Sequence, residues 1–312
     1  MAAKSPARRL LLLLLVAALV AGGAVGVVRR GAKLVHAVEQ LDVVSLVLAA
    51  LFALLGVGAM LASWAVAVRD AGVELPTRDL VRIYCVGQVG KYVPGSIWPI
   101  VTQARLARRR GASPLLVASA SLVNVVVCVA VFLGVGSLLL PFAGAHQVAW
   151  VQLAPVLAVP LLAVLHPTVL NALTGLASKV LKRDPTTVVF TRREVLRSAG
   201  WAIVGSVLIG AHLYVLAHAL GVSGVRGFVL AVCGSALATG LGVAIVFAPA
   251  GAGVREVVLA AVLAPVLSVD SAVVLALASR AVFVVVDLGL GASQVLGLRH
   301  WPSADEATDQ TV

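Results

Sequence analysis

"GKYVPGSIWPIVTQARLARRRGAS", residues 90–113, lies between two long apolar runs, 43–68 and 115–140. Pro94-Gly95 cannot sit inside a regular spanning helix without breaking it. Gly87 and Gly90 loosen the chain just before it. Backbone that is not helical is tolerated at membrane depth only where protein or a water-filled cavity covers it. Residues 88–104 are therefore expected to be re-entrant or interfacial and held at a crevice. Tyr84, Tyr92 and Trp98 would sit at headgroup level, with Lys91, Arg105 and Arg108 to Arg110 facing anionic groups. The competing reading is an ordinary cytoplasmic loop whose three consecutive arginines follow from topology alone.

The surrounding sequence decides the class. Hydrophobic residues make up 61% of the 312, charged residues 12%, and the mean hydropathy is +1.08. Several runs exceed the roughly 18–20 apolar residues that cross a bilayer core, and none alternates as a barrel strand does. The expected fold is an all-α polytopic membrane protein. Spans are read at 10–28, 43–68, 115–140, 147–165, 198–220, 227–247 and 271–297. A shorter run, 257–268, reads as a half-helix or as a crossing helped by 250–256, for seven to eight membrane segments. The first run follows Lys4, Arg8 and Arg9 and ends at Arg29-Arg30; it is long for a signal peptide and reads as a spanning helix. Residues 1–298 form one integral membrane domain, and 299–312 a polar tail expected to be disordered. No polar stretch is long enough to bury a core of its own.

The net charge of +11 does not argue for nucleic acid, because the basic residues cluster at membrane edges. The N-terminal tail, 69–114 and 166–197 carry most of them. The opposing loops hold only Arg29, Arg30, Lys33 and Arg226. The positive-inside rule makes the first set cytoplasmic, with the N-terminus on that side. Residues 166–183 have apolar positions at helical spacing and a basic end, as in a helix lying on the cytoplasmic leaflet or a solvated connector.

A second break occurs in "FAPAGAGVREVV", residues 247–258. Arg255 and Glu256 stand between apolar stretches, where charge is costly and is read by default as functional or mutually paired. If the helix starts near Val254, the Gly251–Gly253 segment opens onto its N-terminus, a natural seat for phosphate or carboxylate. Further on, Arg280 and Asp287 lie seven residues apart within one span and share a helical face. They are expected to pair with Arg255 and Glu256, or through a neighbour.

The two breaks echo each other. "YVPGS" (92–96) leads to Arg105, "GAS" (111–113) and a long helix; "FAPAG" (247–251) leads to Arg255, "SVDS" (268–271) and a long helix. Such an internal repeat is the mark of transporters built from duplicated, broken-helix halves. No phosphate-binding P-loop, HExxH or GxSxG is present. The three cysteines and six histidines are dispersed, so no metal, disulfide framework or cofactor is expected.

Together, "GKYVPGSIWPIVTQARLARRRGAS" and "FAPAGAGVREVVLAAVL…SVDSAVVLALASRAVFVVVDLGLG" resemble the lysylphosphatidylglycerol synthase transmembrane family. This is the flippase-like domain at the N-terminus of multiple peptide resistance factors and in many stand-alone bacterial and archaeal proteins. The resemblance covers roughly residues 10–297. It implies a protein of the cytoplasmic membrane tied to polar lipids. The family signatures fall on Tyr92, Pro94, Gly95, Arg105, Gly251, Gly253, Arg255, Glu256 and Arg280. The Glu-Arg pair that many members carry after the first signature is missing here, where "SLVNVVV" offers only Asn124. The aminoacyl-transfer domain of the larger members is also absent from this chain. The implied function is a lipid translocase for an anionic phospholipid or a polyprenyl-phosphate-linked glycolipid. Its lipid-binding residues would be those above together with Asp287, and no catalytic residue is assigned. The alternatives are a membrane-embedded glycosyl or acyl transferase using Glu256 or Asp287 as base, and a non-catalytic partner anchoring a soluble glycosyltransferase through 166–197.

Overall fold

The computed structural model describes residues 39, 41–92, 97–143, 154–180, 190–244 and 253–298. The expected first span at 10–28, the polar tail, and the site candidates Pro94, Gly95 and Gly251 lie outside the described residues. The described residues form α-helices and short 3₁₀ turns, with no strand. Hydrocarbon requires this, since it offers no partner for an unpaired backbone group.

Among the described residues ten helices follow one another: α1 Val43–Asp70, α2 Thr77–Val89, α3 Trp98–Arg108, α4 Pro114–Leu139, α5 Ala154–Val164, α6 Pro167–Val180, α7 Arg192–Ala219, α8 Gly224–Ala244, α9 Val254–Leu263 and α10 Val269–Leu298. Among the described residues, α1, α4, α7, α8 and α10 are long and apolar enough to cross a membrane. The chain is an all-α polytopic membrane protein.

Two boundaries differ from the sequence reading. The stretch 69–114 folds into two short helices rather than an open loop. Helix α7 starts at Arg192, six residues before the apolar run. Thr191 there accepts from the Glu194 amide (3.5 Å), while Glu194 accepts from the Thr191 amide (2.6 Å). This capping box carries Arg192, Arg193 and Arg197 into the helix.

Helices α2 and α3 form a hairpin. At its base Arg110 pairs with Asp79 at 2.9 Å. Gly87 admits the Gln103 side chain, and Gly90 lets the chain pass so close to Trp98 and Pro99 that a Cβ there would stand 3.1 Å from the Pro99 nitrogen. The hairpin therefore closes between Gly90 and Trp98, with both of its open ends at the arginine-rich end of the bundle. Tyr84, however, lies in the core, 6% exposed, with its ring 5.5 Å from that of Trp64. Helices α8 and α9 pack together as a second hairpin, with Gly234 against Leu259 and Val262.

The halves repeat in register. Pro94 and Pro249 stand 155 residues apart, as do Ser113 and Ser268, the C-termini of α3 and α9, and the starts of α4 and α10. Ser113 Oγ accepts from the Leu116 amide at 3.4 Å and Ser268 Oγ from the Ser271 amide at 3.1 Å. The halves are inverted, because α1 and α7 run antiparallel. Ser63 meets Ser198 at one end, and Ala49 meets His212 at the other. Their packing is exchanged too: α2 lies on α10 and α8 on α4. Small residues allow these approaches, with Gly56 against Ile209 and Gly136 against Leu237.

In this register Arg255 corresponds to Ile100, and Arg105 to Ala260. The arginines of the two breaks, paired in the sequence reading, are thus not equivalent positions.

Candidate functional site

Helix α10 carries Arg280, Phe283 and Asp287 at three- and four-residue spacing, which puts them on one stripe. All three lie in the middle of a 30-residue helix. The two broken segments reach this stripe from opposite sides.

From the first hairpin come Lys91 and Tyr92, in the 3₁₀ turn that ends α2. Tyr92 donates its hydroxyl to Asp287 Oδ2 at 2.6 Å, and Lys91 Nζ pairs with the same oxygen at 2.6 Å. Lys91 also stands 5.5 Å from the Tyr92 ring centre. Asp287 is 1% exposed, and its Oδ1 has no hydrogen-bond partner among the described residues. One turn later Gly291 packs on Val89, close to the Cys85 carbonyl, and so seats α2 on α10.

From the second break come Arg255 and Glu256, in the first turn of α9. Gly253 precedes them with φ of 85°, a conformation costly for any residue with a Cβ. Glu256 Oε2 accepts from the Gly253 amide at 2.7 Å, and Oε1 accepts from Arg280 Nη1 at 3.3 Å. The helix N-terminus read as an anion seat is thus capped by the protein's own carboxylate. Arg255 lies over Phe283, its Cζ 5.7 Å from the ring centre. Among the described residues it makes no hydrogen bond or ion pair. A half-buried guanidinium with free N–H groups, held on an aromatic face, is suited to a phosphate.

Behind the stripe, His212 fixes Phe283. The rings meet edge to face at 4.9 Å. His212 Nδ1 lies 2.9 Å from the Ala49 carbonyl, which only accepts, so Nδ1 carries the proton; Nε2 then accepts from Ser279 at 3.0 Å. Sequence reasoning set His212 aside as one of six scattered histidines, and only folding brings it beneath Phe283.

Of the residues singled out in the sequence, Tyr92, Gly253, Arg255, Glu256, Arg280 and Asp287 meet in this seam. Arg280 and Asp287 do not pair with each other; each is tied to a different break. Arg105 stands exposed in the last turn of α3, with no hydrogen bond or ion pair joining it to the seam. Lys91, expected to face anionic groups beside Arg105, instead turns to Asp287.

The mirror position of the Ser279–Arg280 pair is Asn124–Val125. Asn124 donates to Ser63 Oγ (2.8 Å) and Ser198 Oγ (3.2 Å), a neutral hub joining α1, α4 and α7. Nearby, Trp64 donates to Ser121 (2.8 Å), which donates to Gln103 (2.9 Å). Of the two mirror positions, the one on α10 therefore carries charge and the one on α4 is neutral.

Residues 10–291 match the family described as the lysylphosphatidylglycerol synthase TM region, and the chain belongs to that family. No curated protein and no solved structure matches it. The match supports a lipid-related function within the membrane.

Proposed function

We propose that this member of the lysylphosphatidylglycerol synthase transmembrane family is a lipid translocase, which binds an anionic phospholipid or polyprenyl-phosphate-linked glycolipid in the α2–α9–α10 seam and moves it between leaflets. The observation that carries this reading is Arg255. Its guanidinium lies on Phe283 at the meeting point of two broken helices and makes no hydrogen bond or ion pair to a carboxylate among the described residues. Inverted repeats whose discontinuous helices converge on charged groups at mid-depth are the architecture in which alternating access is built. A translocase needs a binding group that releases its ligand, and an arginine without a fixed internal partner meets that need.

The transferase reading is weaker on geometry. Glu256 is held by the Gly253 amide and by Arg280, and Asp287 by Lys91 and Tyr92. Carboxylates stabilised as anions by such partners make poor general bases.

The test is reconstitution of the purified protein in liposomes with fluorescent anionic lipids, followed by chemical quenching of the outer leaflet. Transbilayer movement that falls about tenfold or more in Arg255→Ala, equivalent to about 1.4 kcal/mol, is expected. Neither binding nor movement across phospholipid and polyprenyl-phosphate probes would overturn the reading.

A further inference from the structure

What Phe283 does for Arg255 depends on which way its ring points. An aromatic ring is negative on its face and positive at its edge. Arg255, 5.7 Å from the ring centre, is attracted by the face and would be disfavoured by the edge. The ring's own torsion does not decide this, because the last torsion of a phenylalanine is broad. The orientation is set by what packs behind the ring, and that is His212, which meets it edge to face at 4.9 Å and 62°. His212 is in turn held at both nitrogens, by the Ala49 carbonyl on α1 (2.9 Å) and by the Ser279 hydroxyl on α10 (3.0 Å). Ala49, His212 and Ser279 are each at most 2% exposed, so bulk water does not compete for these bonds.

The other half of the repeat shows that a pair of rings is not needed to join these helices. In the register of 155 residues Ser279 corresponds to Asn124, Phe283 to Cys128 and Arg255 to Ile100. Asn124 ties α4 to α1 and α7 through Ser63 and Ser198. The small Cys128 follows one turn on, its sulfur 3.8 Å from the Asn124 carbonyl oxygen. The half whose short helix carries Ile100 thus makes the joint from short neutral side chains. The half whose short helix carries Arg255 makes it from His212 and Phe283. The two rings answer to the arginine rather than to the joint.

We propose that His212 is a positioning residue for Arg255. Fixed to α1 and α10, it turns the face of Phe283 toward the guanidinium and so sets where an anion is held. This rests on Arg255 as the anion-binding group of the translocase reading, and adds to it a buried residue that acts through another.

The test is a double-mutant cycle on the intact chain in detergent, titrated with a short-chain fluorescent phosphatidylglycerol as the anionic probe, with thermal unfolding read beside it. His212→Leu is expected to weaken binding about fivefold, the effect of a partly desolvated cation–ring contact, and Phe283→Leu about as much. In an Arg255→Ala background neither should weaken it further, because the group they position is gone. Ser279→Ala keeps the histidine and frees only its Nε2, so it serves where His212→Leu does not fold. It should weaken binding about twofold, again only while Arg255 is present. A residue with a packing role alone lowers the unfolding temperature alike in both backgrounds and shows no such coupling in affinity. Equal fold losses with and without Arg255, or unchanged affinity in both His212→Leu and Ser279→Ala, overturn the positioning role and leave the translocase reading standing. Probe binding unchanged by Arg255→Ala removes the anion-binding group itself and this inference with it.

Discussion

Tyr92 and Asp287, 195 positions apart, share a 2.6 Å hydrogen bond that fastens the tip of the first hairpin to the middle of α10. The bond is charge-assisted and partly buried, and a hydrogen bond to a charged group is among the stronger ones. Lys91 reinforces it from the same turn.

Removing the hydroxyl while keeping the ring isolates that contribution. Tyr92→Phe is expected to destabilise the protein by about 1.5–3 kcal/mol. Asp287→Ala should cost more, about 3–5 kcal/mol, because it strands the Lys91 charge against the protein interior. Thermal unfolding of the detergent-purified variants gives the order. A Tyr92→Phe protein as stable as wild type would mean that the bond does not hold the hairpin tip.

Two glycines on α7 make a sharper comparison, because distance alone ranks them wrongly. A Cβ on Gly205 would come within 2.3 Å of Met60 Cε, the far end of a flexible side chain. A Cβ on Gly210 would stand 2.6 Å from Val232 Cα, which is backbone. Met60 swings aside at small cost, while α8 must shift as a body. Gly210→Ala should therefore lose about 1–3 kcal/mol and Gly205→Ala clearly less, read from the same unfolding curves. The reverse order would contradict this packing.

These contacts show which parts of the molecule were legible in the sequence. Composition and run length dictated the helical, polytopic class, because hydrocarbon leaves few alternatives. The Pro-Gly breaks fall between α2 and α3 and between α8 and α9, and the echo between them marked the repeat. The pairing of Arg105 with Arg255 misled, because arginine is frequent at the arginine-rich end for topological reasons. The serines, which cap the helices that follow them, keep the true register of 155 residues. Partners were harder still. No spacing rule links Lys91 to Asp287, or His212 to Phe283, since those contacts arise from how α2 and α7 pack on α10. The start of α7 was legible in Thr191 and Glu194 but was hidden by the charges around them.

Gly253 tests whether the second break is set by backbone conformation. Its φ of 85° is costly for any residue with a Cβ, and its amide is the group that orients Glu256. Gly253→Ala is expected to cost about 1–2 kcal/mol and to loosen the Glu256–Arg280 pair. Gly72 shares the φ of 85° but lies in a surface turn far from the seam, with open space about it. Gly72→Ala should thus lose similar stability with lipid movement unaffected per folded molecule, whereas Gly253→Ala should lose both. Equal lipid movement in the two variants would separate the break from the site.

Arginine substitutions decide where an anionic headgroup is held. Arg255 lies on Phe283 within the seam; Arg105 is exposed on α3 outside it. Lysine at position 255 keeps the charge but loses the planar fork that rests on the ring and grips two phosphate oxygens. Affinity for an anionic lipid should therefore fall in the order wild type, Arg255→Lys, Arg255→Ala, with the last weaker by about tenfold or more. Arg105→Ala should change affinity by no more than the loss of one screened surface charge, an effect that fades in high salt. The Arg255→Ala loss should persist in salt, because a phosphate on the half-buried Arg255 would be screened less than one at the surface. Lipid titration of the four proteins at low and high ionic strength measures both. A salt-resistant loss in Arg105→Ala as large as that in Arg255→Ala would move the headgroup site to the arginine-rich end of the bundle.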